Sequence, residues 1–136
     1  MENLFKQITS AMENQKVILV HNLGKRNEKF QLTNLLKEYN EKIFAWSELD
    51  LGTHIIESLY EKRNPTENLP VCEIMIFYDC DCFTCKPLQM DWVRKMVDVF
   101  VKAGTTCIFT CHANIPEDVN IFFDSIDNVI KINKEE

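Results

Sequence analysis

Short runs of apolar residues alternate along the chain with longer stretches in which apolar residues recur every three or four positions. The short runs predict buried strands, and the longer stretches predict amphipathic helices. Strands that alternate with helices of this length indicate a parallel sheet with right-handed crossovers, which is an α/β fold. The predicted helices are residues 2–14, 28–39, 51–63 and 88–103, and the predicted strands are 16–21, 42–46, 74–78, 105–111 and 128–133, with only a turn of helix between the last two strands. The residues predicted to face inward are Phe30, Leu32, Leu35 and Leu36 in the second helix and Ile55, Ile56, Leu59 and Tyr60 in the third. Ser47 or Asp50 is expected to cap the third helix, and Gly104 stands where the fourth helix should end.

The strand at 74–78 carries the clearest sign of function. Its residues are apolar without alternation, which is typical of a strand buried on both faces of a parallel sheet. Asp79 follows it directly, at the edge where open α/β sheets place their chemistry. An apolar strand that ends in Asp has the form of a Walker B strand, whose carboxylate holds Mg²⁺ in P-loop ATPases. Asp79 is therefore a candidate cofactor-binding residue.

A phosphate-binding loop is expected after the first strand, and residues 23–30 occupy that place. The working motif is Gly-x-x-x-x-Gly-Lys-Ser/Thr, in which the backbone cradles phosphates and Lys contacts them. Lys29 stands at the lysine position, but Leu23 and Glu28 replace the glycines and Phe30 replaces the hydroxyl residue. We expect that this degenerate loop does not bind ATP conventionally, that the chain is not an ATPase, and that Asp79 has a structural or interface role.

The cysteines suggest a metal site. Cys80, Cys82 and Cys85 form C-x-C-x-x-C, and His112 with Cys111 ends the next predicted strand. Three thiolates with a histidine are a plausible tetrahedral zinc site. Adjacent residues of a strand point to opposite faces, so Cys111 and His112 are not expected to serve together. The predicted zinc ligands are Cys80, Cys82, Cys85 and His112, and the alternative is a set of buried or bystander thiols.

A second interpretation of the same segment is a thioredoxin-like oxidoreductase. Cys82 and Cys85 follow a buried strand and precede a helix, whose N-terminus would lower the pKa of the first thiol. The thioredoxin fold also needs a cis-proline strand and a hairpin after this unit, and the remaining sequence does not show a hairpin. Two further cysteines, Cys72 and Cys107, lie within apolar stretches and are expected to be core residues.

The length and net charge of the chain limit the number of domains and the kinds of partner that it is expected to have. The chain has 136 residues and a formal charge of −6, so we expect one domain over 1–136, with an N-terminal helix in 1–15 and a core in 16–133. Basic residues are interspersed with acidic ones, which argues against autonomous binding of DNA or RNA. No apolar run is long enough for a membrane span, and the first residues do not form a secretory signal. An intracellular protein with no membrane partner is predicted.

The order of these features resembles the core ATPase domain of the RecA recombinase superfamily, in a reduced form. The resemblance covers about residues 16–133 and rests on the degenerate phosphate loop, the Walker B-like strand ending at Asp79, the strand ending at His112, and the closing strand 128–133. It implies a three-layer α/β fold with a minimal RecA-like P-loop ATPase core.

The departures from the family pattern are similar to those of small, divergent recombinase paralogues that act as obligate partners of a larger paralogue. The resemblance implies a non-catalytic subunit of a nuclear hetero-oligomer that remodels or stabilises recombinase filaments on single-stranded DNA during homologous recombination repair. DNA would be contacted only as part of the complex, and ATP would be held only in trans by a partner. RecA-like subunits without ATPase motifs also occur in the Elongator tRNA-modification complex, which remains an alternative.

Overall fold

The described strands form one five-stranded sheet in the order β2-β3-β4-β1-β5, and every neighbouring pair is parallel. The computed structural model of the chain describes residues 1–64, 67, 69, 71–82, 86–112 and 117–134, with Glu48 and Cys82 described by backbone alone. This all-parallel sheet, with helices between its strands, confirms the predicted α/β architecture. The elements are α1 Glu2–Met12, β1 Val17–His21, α2 Arg26–Tyr39, β2 Ile43–Trp46, α3 Glu48–Tyr60, β3 Ile74–Phe77, a 3₁₀ helix Cys80–Cys82, α4 Pro87–Lys102, β4 Thr106–Thr110, α5 Glu117–Asp124 and β5 Val129–Asn133.

Helices cover both faces of the sheet, so the molecule has three layers. Ile74 and Ile76 of β3 pack with α1 and α2, whereas Met75 and Phe77 of the same strand pack with α3, α4 and α5. This alternation explains the unbroken apolar run of β3, because both faces of the strand are buried. No described helix is long and apolar enough to cross a membrane.

Aromatic rings join the two central strands to the last helix. Phe77 of β3 and Phe109 of β4 stack with ring centroids 4.6 Å apart. Phe109 also meets Phe123 of α5 edge to face at 5.0 Å. All three side chains are essentially buried, so this cluster fixes α5, which the sequence predicted only as a turn of helix, against the sheet.

The sequence pattern placed two apolar groups on the wrong side of their helices. Phe30 of α2 was predicted to face inward, but it is 68% exposed, while Leu32 and Leu36 of the same helix are buried. In α3 the predicted inward stripe included Ile56 and Tyr60, which are 64% and 89% exposed. The physical reason is that these helices carry apolar residues on two adjacent faces, and helical spacing alone does not say which face meets the sheet. The buried side of α3 instead consists of Leu51, Ile55 and Ser58.

Replacing Phe109 tests the aromatic cluster. Phe109→Ala removes a ring that stacks on Phe77 and contacts α5, and we expect a loss of about 3–5 kcal/mol of unfolding free energy. Phe30→Ala is the matched control, since its ring is exposed, and should stay within about 0.5 kcal/mol of the parent. Urea denaturation measures both. A large loss for Phe30→Ala, or a negligible one for Phe109→Ala, would contradict the packing described.

Candidate functional site

The ends of three adjacent strands bring the predicted site residues together. Strands β3, β4 and β1 are neighbours in the sheet, and Asp79, His112 and the connection to α2 follow their carboxyl ends. The Lys29 ammonium group, on the first turns of α2, lies 2.7 Å from Oδ2 of Asp79, with the two side chains 21% and 19% exposed. The lysine and aspartate that the sequence assigned to nucleotide binding are thus paired with each other.

The segment that corresponds to a phosphate loop is largely helical. The connection after β1 consists of Asn22–Lys25, and α2 begins at Arg26, two residues earlier than the sequence predicted. The Lys29 amide donates a 3.1 Å hydrogen bond to the Lys25 carbonyl, so it serves the helix rather than a ligand. Residues 26–28 contain no glycine and can adopt helical geometry at little cost, which explains the early start.

The charge of Glu28 is neutralised within the chain. Its carboxylate, which would otherwise repel a phosphate, forms an ion pair with Lys134, and both side chains are 15% exposed. The Asn22 side-chain amide donates a 2.9 Å hydrogen bond to the Lys134 carbonyl. These contacts tie the residue after β5 to the loop after β1, a connection that single-sequence patterns do not reveal.

His112 lies directly against the loop at Gly24. A Cβ atom added to Gly24 would be 2.3 Å from Cδ2 of His112, which is far inside the contact distance of two carbon atoms. The Leu23 amide donates a 3.0 Å hydrogen bond to the Cys111 carbonyl, and the Leu23 side chain is buried. Gly24 is therefore required for close packing against a side chain, rather than for space around a phosphate.

Two hydrogen bonds fix the backbone around Asp79. Its amide donates to Oγ1 of Thr110 at 3.1 Å, which links the end of β3 to the end of β4. The neighbouring Tyr78 hydroxyl donates to the Lys29 carbonyl at 3.2 Å. Asp79 has a φ of 55°, a left-handed conformation that Asp tolerates better than most residues. This geometry turns the carboxylate back toward Lys29.

His112 lies between two carboxylates and is hydrogen-bonded to one of them. Its Nδ1 lies 2.8 Å from Oδ2 of Asp81, and its Nε2 lies 4.0 Å from Oδ1 of Asp79. The ligand atoms of these three residues lie within 4.8 Å of one another. Asp81 was not among the predicted site residues, although it stands between two predicted cysteine ligands and follows Asp79 by two positions.

A buried thiol pair lies beside this cluster. The side chains of Cys80 and Cys111 interact with each other, and the sulfur of Cys111 is 3.6 Å from Nδ1 of His21. The hydrogen bond from Cys80 and that from His21 lower the pKa of Cys111 from 9.0 to about 6. The same contact with Cys111, together with burial, raises the pKa of Cys80 well above its ordinary value.

The remaining cysteines separate into two groups. Cys72 and Cys107 are buried core residues, as predicted, and burial raises the pKa of Cys107 to about 12. Of the predicted zinc ligands, Cys80 contacts Cys111, and His112 lies among carboxylates. The Cys82 side chain and Cys85 lie outside the described residues. Coordination of zinc by Cys80, Cys82, Cys85 and His112 therefore remains a prediction, as does redox activity of Cys82 and Cys85, although the described strands are all parallel and form no hairpin.

Comparison with solved structures defines the class of fold. The chain is similar to the crystal structure of a DNA replication initiation factor, with a TM-score of 0.69 and 13% identity over 98% of this chain and 46% of that chain. AMPPCP-bound DnaA from Aquifex aeolicus matches with a TM-score of 0.66 and 13% identity, over 93% of this chain and 44% of that chain. Domain III of the Thermotoga maritima replication initiation protein DnaA matches with a TM-score of 0.70 and 10% identity, over 98% of this chain and 62% of that chain.

These similarities show a fold of the P-loop ATPase type, with a parallel sheet flanked by helices. The predicted P-loop-like core is thus confirmed, whereas the three neighbours are replication initiators rather than recombinases. The chain spans about half the length of the first two structures. No protein-family model matches the chain. No curated protein sequence matches it either.

Gly24→Ala tests the close contact with His112. The added methyl group would overlap the imidazole, so we expect the His112 ring to move; because that side chain is half exposed, the unfolding free energy should fall by less than about 1 kcal/mol. Gly52→Ala is the matched control, because Gly52 lies in helix α3 and a Cβ added to it would meet nothing within 4 Å. It should stabilise the protein by about 0.5–1 kcal/mol. Thermal unfolding and the NMR signals of His112 report both effects, and equal behaviour of the two variants would contradict the contact.

The thiol pair predicts a pH dependence. Because the pKa of Cys111 is lower in the folded chain, its ionisation adds stability as pH rises from about 6 towards 9.0, and that contribution is lost as pH falls through about 6. Thiolate absorbance should titrate near 6, and Cys80→Ala should raise this midpoint by removing the hydrogen-bond donor. Cys107→Ala, which alters a different part of the core, should leave it unchanged. A midpoint that Cys80→Ala does not move would contradict the pairing.

Proposed function

We propose that the chain is a non-catalytic, P-loop-type subunit of an assembly that acts on DNA, in which it pairs with a larger recombinase paralogue. The observation that carries this proposal is the Lys29–Asp79 ion pair at 2.7 Å. Each residue satisfies the charge that its partner would otherwise offer to a nucleotide phosphate or to Mg²⁺. With Leu23 and Glu28 in place of the loop glycines, the fold is retained while its usual ligand site is closed from within.

A domain of this fold that does not bind nucleotide would act through the contacts that its surface makes with other proteins. The described surface carries a group of exposed apolar side chains on α3 and the start of α4, which we call the α3–α4 patch: Leu49, Ile56, Leu59, Tyr60 and Leu88. Ile56, Leu59 and Leu88 also line one groove with Pro87. Contiguous exposed apolar surface of this kind is typical of protein–protein interfaces. We assign the larger subunit to this patch.

In this proposal the partner subunit, and not this chain alone, binds the nucleic acid. One structural neighbour is a replication initiator bound to AMPPCP and single-stranded DNA, which supports an assembly that acts on single strands. The net charge of −6 opposes tight binding of DNA by this chain alone. We therefore place single-stranded DNA, a recombinase filament and any ATP on the partner, within homologous recombination repair in the nucleus. Because the neighbours are replication initiators, a role beside an initiator ATPase is the second candidate.

Affinity capture from native cells tests the proposal. The tagged chain should retain a recombinase paralogue, and Ile56→Lys should reduce recovery of that partner at least tenfold by placing a charge in the α3–α4 patch. Ile121→Lys is the matched control, because Ile121 is an exposed isoleucine on α5, and it should bind as the parent does. Circular dichroism melts confirm that the variants are folded.

Lys29→Met separates this proposal from nucleotide-dependent assembly. A working P-loop lysine is needed for phosphate binding, whereas here its replacement should leave partner recovery unchanged. Recovery of a replication initiator ATPase in place of a recombinase would support the second candidate. A folded chain that captures no P-loop ATPase, or that loses its partner in Lys29→Met, would contradict the proposal.

A further inference from the structure

We propose that Asp79 and His112 bind a divalent transition-metal ion without nucleotide, and that Asp81 is the positioning residue that orients the imidazole. The site lies between the end of β3, the 3₁₀ helix and the end of β4, where the three side chains meet. It shares His112 with the predicted zinc site, but it differs from that site because a carboxylate oxygen takes the place of the cysteine thiolates. It also differs from a nucleotide-linked Mg²⁺ site, because it needs no phosphate ligand.

The hydrogen bond from Asp81 defines which nitrogen of His112 is available. A carboxylate accepts hydrogen bonds, so Nδ1, at 2.8 Å from Oδ2 of Asp81, carries the proton. The lone pair of the neutral ring is then on Nε2, the nitrogen that faces Oδ1 of Asp79 at 4.0 Å. A histidine that gives one N–H to a carboxylate while the other nitrogen binds metal is a recurring arrangement in metalloproteins.

The oxygen that faces His112 lacks a partner among the described residues. Oδ1 of Asp79 is buried and accepts no hydrogen bond there, while Oδ2 is occupied by Lys29. A buried carboxylate oxygen without a partner is costly, and a cation between Oδ1 and Nε2 would satisfy it. Ligand distances to zinc are about 2.0–2.2 Å, so one ion can contact both atoms across the 4.0 Å gap, with water in the remaining coordination positions.

The donor types select the kind of ion. Imidazole favours zinc, copper, cobalt and nickel, whereas Mg²⁺ prefers oxygen ligands in an octahedral arrangement. The Lys29 ammonium group beside Asp79 further disfavours a site that depends on carboxylate charge alone. Because the ring rests on Gly24, His112 is also held in place on its second side. Zn²⁺ is therefore the expected ion, with Co²⁺ as its spectroscopic substitute.

Calorimetric titration of the full chain, freed of metal by a chelator, tests the site. Zinc chloride should bind with one equivalent, and magnesium chloride at the same concentrations should give no saturable heat. Asp79→Asn and His112→Gln should abolish saturable zinc binding, and Asp81→Asn should weaken it by about 10–100-fold, the usual effect of losing an outer partner. His54→Gln removes an imidazole from α3 and should leave the affinity unchanged. Circular dichroism checks that each variant is folded.

Cobalt provides the readout that a purely structural role would not change. The Co²⁺ complex should show ligand-field bands of nitrogen and oxygen donors without thiolate-to-cobalt charge transfer, and Asp81→Asn should alter those bands. Zinc binding that survives His112→Gln would overturn the proposal, as would a charge-transfer band that Cys82→Ser removes, because the ion would then be held by thiolates. Absence of zinc binding to the parent chain, or an Asp81→Asn variant identical to it, would also overturn the assignment.

Discussion

The ion pair between Lys29 and Asp79 depends on three strands being parallel neighbours, and the other contacts of the site lie around that pair. β3 delivers Asp79 and β1 leads into the helix that carries Lys29, while β4 between them supplies Thr110 to hold the Asp79 amide. The segment after β1 winds into helix from Arg26 onward. The loop is then short enough for His112 to pack on Gly24.

The sequence was most informative where a residue's neighbours along the chain decide its environment. The unbroken apolar run at 74–77 predicted a strand buried on both faces, and β3 is buried throughout. Gly104, predicted to end α4, has a φ of 95°, which glycine adopts readily. Ser47, one of two suggested caps for α3, accepts a hydrogen bond from the Asp50 amide. These features follow from local periodicity and backbone preference.

Prediction failed where tertiary contacts decide between local alternatives. The outward face of α3 is as apolar as its inward face, so periodicity could not identify the side that packs on the sheet. The ion pair of Glu28 with Lys134 joins α2 to the far end of the chain, and no local pattern predicts it. The pairing of His112 with Asp81 also joins distant segments. The spacing of the cysteines instead grouped His112 with thiols in the predicted zinc site. The degenerate loop was recognised, but not that the chain fills the site with its own side chains.

NMR amide shifts during titration with Mg·ATP show whether internal contacts close the phosphate site. The Lys29 amide, hydrogen-bonded to Lys25, should keep its chemical shift and its slow hydrogen exchange at millimolar nucleotide, as should the amides of residues 22–28. Saturable shifts confined to residues 22–30, with loss of the Lys29–Asp79 contact, would show that the site opens to nucleotide and that the internal contacts do not close it.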